Sequence, residues 1–289
     1  MFADTKTKTK TNSFTILDIM KDGALSVKAD APVFKAISTM LSRQVSSLPV
    51  VDDENNLLGM ISEKDVLKLL YDIEFEGGLV EDYMTRQVVS FGLNDKVDNV
   101  LECFVKHPFR RVAILHDGKL MSVIDRRDII YANRAMFGIS DAANETAGEE
   151  FNAKDVMTHG LFTAKADTPI SEAVDVLIKR NVAGLPVVDD NMNLLGIISE
   201  KDIIDMIGGA NKSASVVGDI MTPEVVSFGP TASLYEICDC LINNNFRRVT
   251  ILDNGKLVGI ISRANIIAFI LQYRTAVRKQ KISHDEKMS

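Results

Sequence analysis

The chain carries the stretch Leu48-Pro49-Val50-Val51-Asp52-Asp53, and the same six residues return as Leu185-Pro186-Val187-Val188-Asp189-Asp190. From residue 48 to residue 185 the offset is 137. The same offset, with no gap, relates Ile61–Asp65 (ISEKD) to Ile198–Asp202. A repeat this regular indicates a fold built from copies of one unit.

A finer repeat divides each copy into two units. An Asp-apolar-Met triplet opens four segments of the chain, at Asp18, Asp82, Asp155 and Asp219. The units alternate in type, and we call them A1, B1, A2 and B2 in chain order. A unit of about 60 residues is small for an independent core, so we expect each A unit to pair with the B unit that follows it.

Each unit is predicted to have the order strand, helix, strand, strand, helix, which gives a mixed α/β (α+β) fold. In A1 the helices are predicted from apolar spacing and capping residues, and the strands from short apolar runs bounded by turn residues. The predicted elements of A1 are Ala24–Lys28, Pro32–Arg43, Ser47–Val51, Leu57–Ile61 and a helix Glu63–Leu70 with Ser62 as its N-cap.

The spacing of the units predicts two domains, each a pair of units. The first pair covers residues 14–138, with units at 14–75 and 79–138, and the second covers 151–275, with units at 151–208 and 215–275. The Gly-, Ala- and acid-rich stretch 139–150 has the composition of a linker. Residues 1–13 are expected to be a flexible N-terminal tail, and residues 276–289 a C-terminal tail.

Composition narrows the class of protein. A net charge of −7 over 289 residues argues against general affinity for nucleic acid. Three cysteines, at 103, 238 and 240, form neither a disulfide framework nor a metal spacing, which favours a reducing compartment. The N-terminus lacks the apolar run of a signal peptide, and no stretch reaches the roughly 18 apolar residues of a membrane span. We therefore expect a soluble, cytoplasmic protein without membrane contact.

Three motifs in fixed order resemble the CBS domains, named after cystathionine β-synthase. They are the Asp-apolar-Met opening, the Leu-Pro-Val-Val-Asp strand, and the strand-to-helix junction seen at Gly59–Asp65 and Gly196–Asp202. The resemblance implies two tandem pairs of CBS units, each paired about a pseudo-twofold axis. It also implies regulatory binding of an adenine-containing ligand such as AMP, ADP, ATP or S-adenosylmethionine, as in energy sensing. Pairs in this family commonly associate, so we expect a closed disc within the chain or a homodimer.

The junctions of the A units supply the first candidate ligand contacts, Ser62 with Asp65 and Ser199 with Asp202. A hydroxyl at a helix N-terminus can join free backbone N–H groups in holding a phosphate, and a carboxylate three residues on can accept ribose hydroxyls. CBS domains commonly use these two positions in that way. The alternative is a capping box, in which the same residues satisfy the helix end without a ligand.

The junctions of the B units depart from this pattern. B1 has Asp125 where A1 has Ser62, and a carboxylate there would repel phosphate. B2 has Ser262 followed by Asn265, an amide that can bind a ribose but carries no charge. Asp128 and Ser262 are the remaining candidate contacts in the B units.

The B units instead carry two adjacent arginines before their central strand, Arg110-Arg111 and Arg247-Arg248. The guanidinium fork matches phosphate oxygens. In related CBS proteins, including the gamma subunit of AMP-activated protein kinase, basic residues here reach the nucleotide phosphates. The alternative is a set of surface ion pairs. The resemblance thus implies a site that takes ribose contacts from A and phosphate contacts from B.

The resemblance places the adenine between strands, and each candidate contact could instead belong to the core. The candidates are Ser26, Val27 and Leu48 in the first pair, and Thr163, Ala164 and Leu185 in the second. No P-loop, HExxH or nucleophile triad is present, so we expect no catalysis. Two functions remain: a regulatory module that signals to a separate, unidentified partner protein, or a scaffold with degenerate pockets and no ligand.

Overall fold

A computed structural model of the protein describes residues 15–69, 77–137, 151–209 and 213–288. The predicted N-terminal tail, 1–13, and the predicted linker, 139–150, lie outside these residues. The predicted domain limits therefore stay predictions where they fall in those segments.

All four units have the predicted element order, although the first strand of A2 is reduced to a single bridge between Ala164 and Val187. A1 contains β1 (Val27–Lys28), α1 (Val33–Arg43), β2 (Ser47–Val51), β3 (Leu57–Ser62) and α2 (Glu63–Leu69). B1 contains α3 (Val80–Tyr83), β4 (Ser90–Gly92), α4 (Val97–Lys106), β5 (Arg111–His116), β6 (Lys119–Asp125) and α5 (Arg126–Ala132). A2 contains α6 (Ile170–Lys179), β7 (Gly184–Val188), β8 (Leu194–Ser199) and α7 (Glu200–Ile207). B2 contains β9 (Ser227–Phe228), α8 (Leu234–Asn243), β10 (Arg248–Asp253), β11 (Lys256–Ser262) and α9 (Arg263–Met288).

Helix α9 is longer than its counterparts, because it continues into the segment predicted as a C-terminal tail. No helix in the described ranges, α9 included, is both long enough and apolar enough to cross a bilayer.

The central hairpin of each unit is antiparallel, and in A1, B1 and B2 a short first strand pairs parallel to it. In A1 the Asp52 carboxylate accepts the Asn56 N–H at 2.8 Å and closes the predicted turn. B1 and B2 use two-residue turns in which Asp117-Gly118 and Asn254-Gly255 have positive φ, as hairpin turns of this type require. The turns predicted at these three places are confirmed.

The segment that opens each unit packs against the other unit of its pair. Ile16, at the start of A1, is fully buried in the apolar cluster of B1, while Val80, at the start of B1, is fully buried in the cluster of A1. Isolated antiparallel β-bridges hold these opening segments against the neighbouring unit. They join Thr15 to Lys96, Pro32 to Leu79, Asn152 to Ser233, and Pro169 to Val216. A and B are therefore paired, as expected, through exchanged segments.

The main cores join like units, which the sequence did not lead us to expect. One buried cluster runs through A1 and A2, where α1 and α2 pack on α6 and α7, and the other runs through B1 and B2, where α4 and α5 pack on α9. The apolar contact between the hairpins of A1 and B1 is the small cluster Val51, Ala113 and Leu120. Because that contact leaves the apolar helix faces uncovered, the like unit of the other half covers them.

These contacts close the four units into a ring within one chain. A1 touches B1 through Asn55, whose side-chain amide donates to the Leu120 carbonyl at 2.8 Å, and A2 touches B2 through the Leu257 N–H and the Met192 carbonyl at 3.0 Å. The shared cores supply the other two sides. A1 lies diagonally across the ring from B2, and B1 lies diagonally across from A2.

Candidate functional site

A cavity of about 900 Å³ lies where the four units meet. A1 contributes Ser62 to its lining, B1 Arg110, A2 Gly184 and B2 Arg247. Among its lining residues in the described ranges, eight are Lys or Arg and four are Asp or Glu. The cavity therefore concentrates positive charge inside a chain of net charge −7, and this favours an anionic occupant.

The Ser and Asp residues of the A-unit junctions form the capping box that was the alternative to ligand binding. The Ser62 hydroxyl donates to Asp65 Oδ2 at 2.6 Å, and the Ser62 N–H donates to the same oxygen at 3.0 Å. Ser199 and Asp202 repeat both bonds, at 2.6 and 2.7 Å. Ser62, Asp65 and Ser199 also line the cavity, so the capping role does not remove them from it.

The second oxygen of each A-unit carboxylate has a weaker polar neighbour. Lys68 lies 3.3 Å from Asp65 Oδ1, and the Thr222 hydroxyl donates to Asp202 Oδ1 at 3.2 Å. These oxygens take no part in the helix caps.

The B1 junction is a pair of carboxylates with opposite pKa shifts. Asp125 caps α5 by accepting the Arg127 and Asp128 N–H groups, and its own N–H donates to Asp128 Oδ2 at 2.9 Å. Burial opposes the charge on Asp125, but Arg111, Arg263 and Arg127 hold its pKa below the usual value. Burial and the neighbouring Asp125 charge raise the pKa of Asp128, which also pairs with Lys21 at 2.9 Å. Both Asp128 oxygens therefore have partners inside the protein.

The B2 junction keeps the local geometry without the charge. The Ser262 hydroxyl donates to Asn265 Oδ1 at 2.6 Å, and the Asn265 amide donates to the Thr158 hydroxyl at 2.8 Å. Both residues of this junction line the cavity.

The first arginine of each B unit reaches across the ring to a buried glutamate at the start of an A-unit helix. Arg247 holds Glu63 with two bonds, NH1 to Oε2 at 2.6 Å and NH2 to Oε1 at 2.8 Å. Arg110 bonds Glu200 Oε2 through NH2 at 2.5 Å, and its NH1 lies 3.5 Å from Glu63 Oε2. The glutamates are only 3% and 1% exposed, so these ion pairs are not the surface pairs that we weighed as the alternative.

Electrostatics agrees with this geometry. Burial alone would lower the pKa of Arg247, but its hydrogen bond with Glu63 and the charge of that residue raise it. Burial lowers the pKa of Arg248 to about 10, so it too is cationic at neutral pH.

The second arginine of each B unit meets the first residue of an A-unit strand. Arg111 NH1 donates to the Ser47 carbonyl at 2.8 Å. In the other half Arg248 packs on Gly184, where a Cβ atom would lie 1.8 Å from its NH1. The Gly184-for-Ser47 difference thus makes room for a guanidinium, and the two halves of the cavity are not equivalent.

The candidate adenine contacts do not line the large cavity. Val27, Leu48, Ala164 and Leu185 belong to the core shared by A1 and A2, and Ser26 is half-buried beside β1. Thr163 lines a separate pocket of about 220 Å³ together with Ala164 and Leu185. The structure thus brings four of the predicted junction contacts together with the four predicted arginines and places most of the adenine candidates in the core. The predicted junction contacts that line the cavity are Ser62, Asp65, Ser199 and Ser262, whereas Asp128 and Asp202 do not line it.

Sequence reasoning missed Glu63 and Glu200, although the repeat contained a signal. The residue that follows the helix cap is Glu63 in A1, Arg126 in B1, Glu200 in A2 and Arg263 in B2. Acid therefore alternates with base at one repeated position. The two arginines at this position donate to backbone carbonyls of their own units, Arg126 to Phe104 and Phe109 and Arg263 to Leu241.

Known proteins with similar sequences come from archaea and plants. Protein MJ1225 of Methanocaldococcus jannaschii, which is uncharacterized, is 29% identical over 191 residues, or 65% of this chain and 68% of that protein. The chloroplastic CBS domain-containing protein CBSX2 of Arabidopsis thaliana is 29% identical over 155 residues, or 43% of this chain and 65% of that protein. The matches thus span about two thirds of the length of these relatives.

Solved structures share the fold. The crystal structure of MJ1225 matches with a TM-score of 0.78 and 20% identity, covering 89% of this chain and all of that one. An uncharacterized conserved protein of Pyrococcus horikoshii matches with a TM-score of 0.60 and 22% identity over the same shares. At these identities the likeness shows the fold alone.

The family assignment rests on four matches along the chain. The family model of the CBS domain matches residues 16–72, 80–134, 153–209 and 217–272. The four segments correspond to A1, B1, A2 and B2. The chain therefore belongs to the CBS domain family and carries two tandem pairs of CBS domains.

Proposed function

We propose that this chain is a regulatory protein that binds an adenine nucleotide in the central cavity and reports its occupancy to a separate partner protein. One observation carries the proposal: the cavity brings arginines from both B units together with Ser62 and Asp65 of the A1 junction and Ser199 of the A2 junction. The family resemblance supplies the adenosyl class of ligand. The excess of basic lining residues favours a ligand with phosphate groups.

The cavity has the size and the polar groups that such a ligand needs. Its volume of about 900 Å³ lies within the range of pockets for small ligands. Asp65 Oδ1 or Asp202 Oδ1 would accept the ribose hydroxyls, and Arg110 or Arg247 would bind the phosphates. A ligand held in this way touches an A unit and a B unit at once.

Signalling follows from a ligand that binds two units. Such a ligand shifts the arrangement of the ring if it binds one arrangement better than another. The partner would read that difference. Because the helix faces of like units are already joined inside the chain, a homodimer would have to use another surface. Energy sensing, a cytoplasmic location and the absence of turnover belong to the same proposal.

The test is calorimetric titration of the full chain with AMP, ADP, ATP and S-adenosylmethionine. Asp65→Ala and Asp202→Ala should weaken nucleotide binding by about ten- to a hundredfold, as expected for lost hydrogen bonds to charged groups. Each should lower stability by only about 1 kcal/mol through the lost cap.

Asp65→Asn and Asp202→Asn are the matched controls. Asn265 shows in this same chain that an amide oxygen accepts the Ser262 bonds, so the asparagine variants should keep the cap. Their melting temperatures should match the wild type while their nucleotide binding is weaker. No heat with any of the four ligands would favour the scaffold instead, and ATP turnover lost in Asp202→Ala would show an enzyme.

A further inference from the structure

The most deeply buried carboxylates of the cavity face its arginines rather than solvent. Glu63 and Glu200 are related by the 137-residue offset, as are Arg247 and Arg110, so the diagonal pairs are two copies of one contact. A carboxylate buried this far is tolerated when a cation and hydrogen bonds satisfy it. The glutamates stabilise the arginines in the same way, because burial alone would disfavour the charged guanidinium groups.

The glutamates occupy the donors that a phosphate would need. Both terminal nitrogens of Arg247 donate to Glu63. Of the two terminal nitrogens of Arg110, one donates to Glu200 and the other lies beside Glu63. A carboxylate and a phosphate offer the guanidinium fork the same pair of acceptor oxygens. A phosphate can therefore bind the face of the guanidinium fork that these bonds occupy only by taking the place of a glutamate.

We propose that Glu63 and Glu200 are internal competitors of the ligand, which occupy Arg247 and Arg110 in the free protein and are displaced by phosphate groups. This inference rests on the proposed function and names the class of ligand: a nucleoside di- or triphosphate. A ligand without any anionic group, such as adenosine, has nothing to displace the glutamates with and gains nothing from these arginines. The glutamates therefore restrict tight binding to ligands with enough negative charge to displace them from the arginines.

The competition also connects binding to the shape of the ring. The Arg247–Glu63 and Arg110–Glu200 pairs each join diagonal units, and each joins one half of the chain to the other. When the ligand displaces the glutamates, it therefore breaks ion pairs that join the two halves of the chain. This is the differential contact that a regulatory ligand requires.

The test compares Glu63→Gln and Glu200→Gln with the wild type in the full chain. Glutamine keeps the size of the side chain and removes the competing charge. We expect each variant to bind ATP about tenfold tighter, AMP by a smaller factor, and adenosine as the wild type does. Glu102→Gln is the control, because it removes the same charge from an exposed helix position whose partner is Lys106.

Inorganic tripolyphosphate separates this inference from the proposed function. If the wild type binds ATP and neither glutamine variant binds it more tightly, the competition is wrong and the proposed function stands. If the wild type binds no nucleotide but the variants gain tripolyphosphate binding, the competition stands and nucleotide regulation is wrong. No binding of either probe by any variant overturns both.

Stability of the variants does not prevent the test. Glu200→Gln leaves Arg110 beside Glu63, so its arginine still has an anionic neighbour. If Glu63→Gln is too unstable for calorimetry, the ATP concentration that stabilises Glu200→Gln against heat gives the same comparison. Equal ATP dependence in Glu200→Gln and Glu102→Gln would reject the competition.

Discussion

Single residues explain why the four units are not interchangeable. At the junctions, Asp65 and Asp202 each accept a serine hydroxyl, Asn265 does so without charge, and Asp128 stands beside a second carboxylate. Of these junctions, the one with Asp128 beside a second carboxylate has the least favourable electrostatic energy. Two half-buried carboxylates this close in the fold cannot both ionise without cost, and the opposite pKa shifts of Asp125 and Asp128 express this.

Asp128→Asn should therefore stabilise the protein at neutral pH, by on the order of 1 kcal/mol or less. Burial and Asp125 raise the pKa of Asp128, so the folded state disfavours its charged form and loses stability as the pH rises from the unfolded pKa through the folded pKa. Asparagine removes that loss and keeps the acceptor for the Asp125 N–H. The lost ion pair with Lys21 costs little, because that lysine is 68% exposed.

The measurement is the free energy of unfolding at pH 7 and at pH 3. The gain should vanish at pH 3, below the unfolded pKa of about 3.9, where Asp128 is neutral in both states. Asp155→Asn is the control, because Asp155 makes the same bond three residues back, to the Asn152 N–H, at an exposed site. A gain that persists at pH 3 would contradict the electrostatic explanation.

At the scale of elements, the closest fit is between the third strand of each unit and the opening segment of its neighbour. The backbones of Met60 and Thr85 exchange two hydrogen bonds, at 2.9 and 2.8 Å, beside Gly59. Gly196 and Gly259 lie in the same way under Met221 and Met157. B1 has Ser122 at this position, and its hydroxyl donates to the Lys21 carbonyl at 2.6 Å.

Gly59→Ala should lower the free energy of unfolding by about 1–3 kcal/mol, as overpacking does. An added Cβ would lie 2.8 Å from the Thr85 carbonyl oxygen, which the ladder holds in place, and 2.7 Å from Met84 Sδ. Gly229→Ala is the matched control, since nothing lies within 4 Å of its added Cβ. It should be neutral or slightly stabilising. Denaturant unfolding of the two variants checks this, and equal stability would contradict it.

Elements were predictable from the sequence where local chemistry decides them. Ser47–Val51 and the start of α2 at Glu63 follow from apolar runs, turn residues and a cap, and the structure has them as predicted. The contact of A1 with A2 was not predictable, because the apolar face of α1 suits any helix of the right shape. The ion pair of Glu63 with Arg247 was missed for the same reason, since the two residues are 184 positions apart in the sequence.

At the scale of the whole molecule, each of the two main cores in the described ranges draws its residues from both halves of the chain. Leu67 of α2 and Ile204 of α7 are both fully buried in one cluster, although they belong to different halves. The ring should therefore unfold as one cooperative unit, although its sequence divides into two pairs of units.

Leu67→Ala should lower the stability of both halves together, by about 2–5 kcal/mol. Leu58→Ala is the matched control, because Leu58 is 38% exposed on β3 and its truncation leaves no cavity. Hydrogen exchange of the β7 amides in the second half should accelerate in Leu67→Ala and stay unchanged in Leu58→Ala. Two separate unfolding transitions, with β7 unaffected by Leu67→Ala, would show that the halves are independent.

The exchanged opening segments also bear on how such a chain can arise. A single unit copied by itself would carry an opening segment with no neighbour to receive it, and would lack the segment that completes its own core. A copy of two adjacent units carries both segments, so each opening segment has the neighbour that receives it. The smallest cassette that gene duplication can add to this protein is therefore a pair, and the 137-residue period has the length of that cassette.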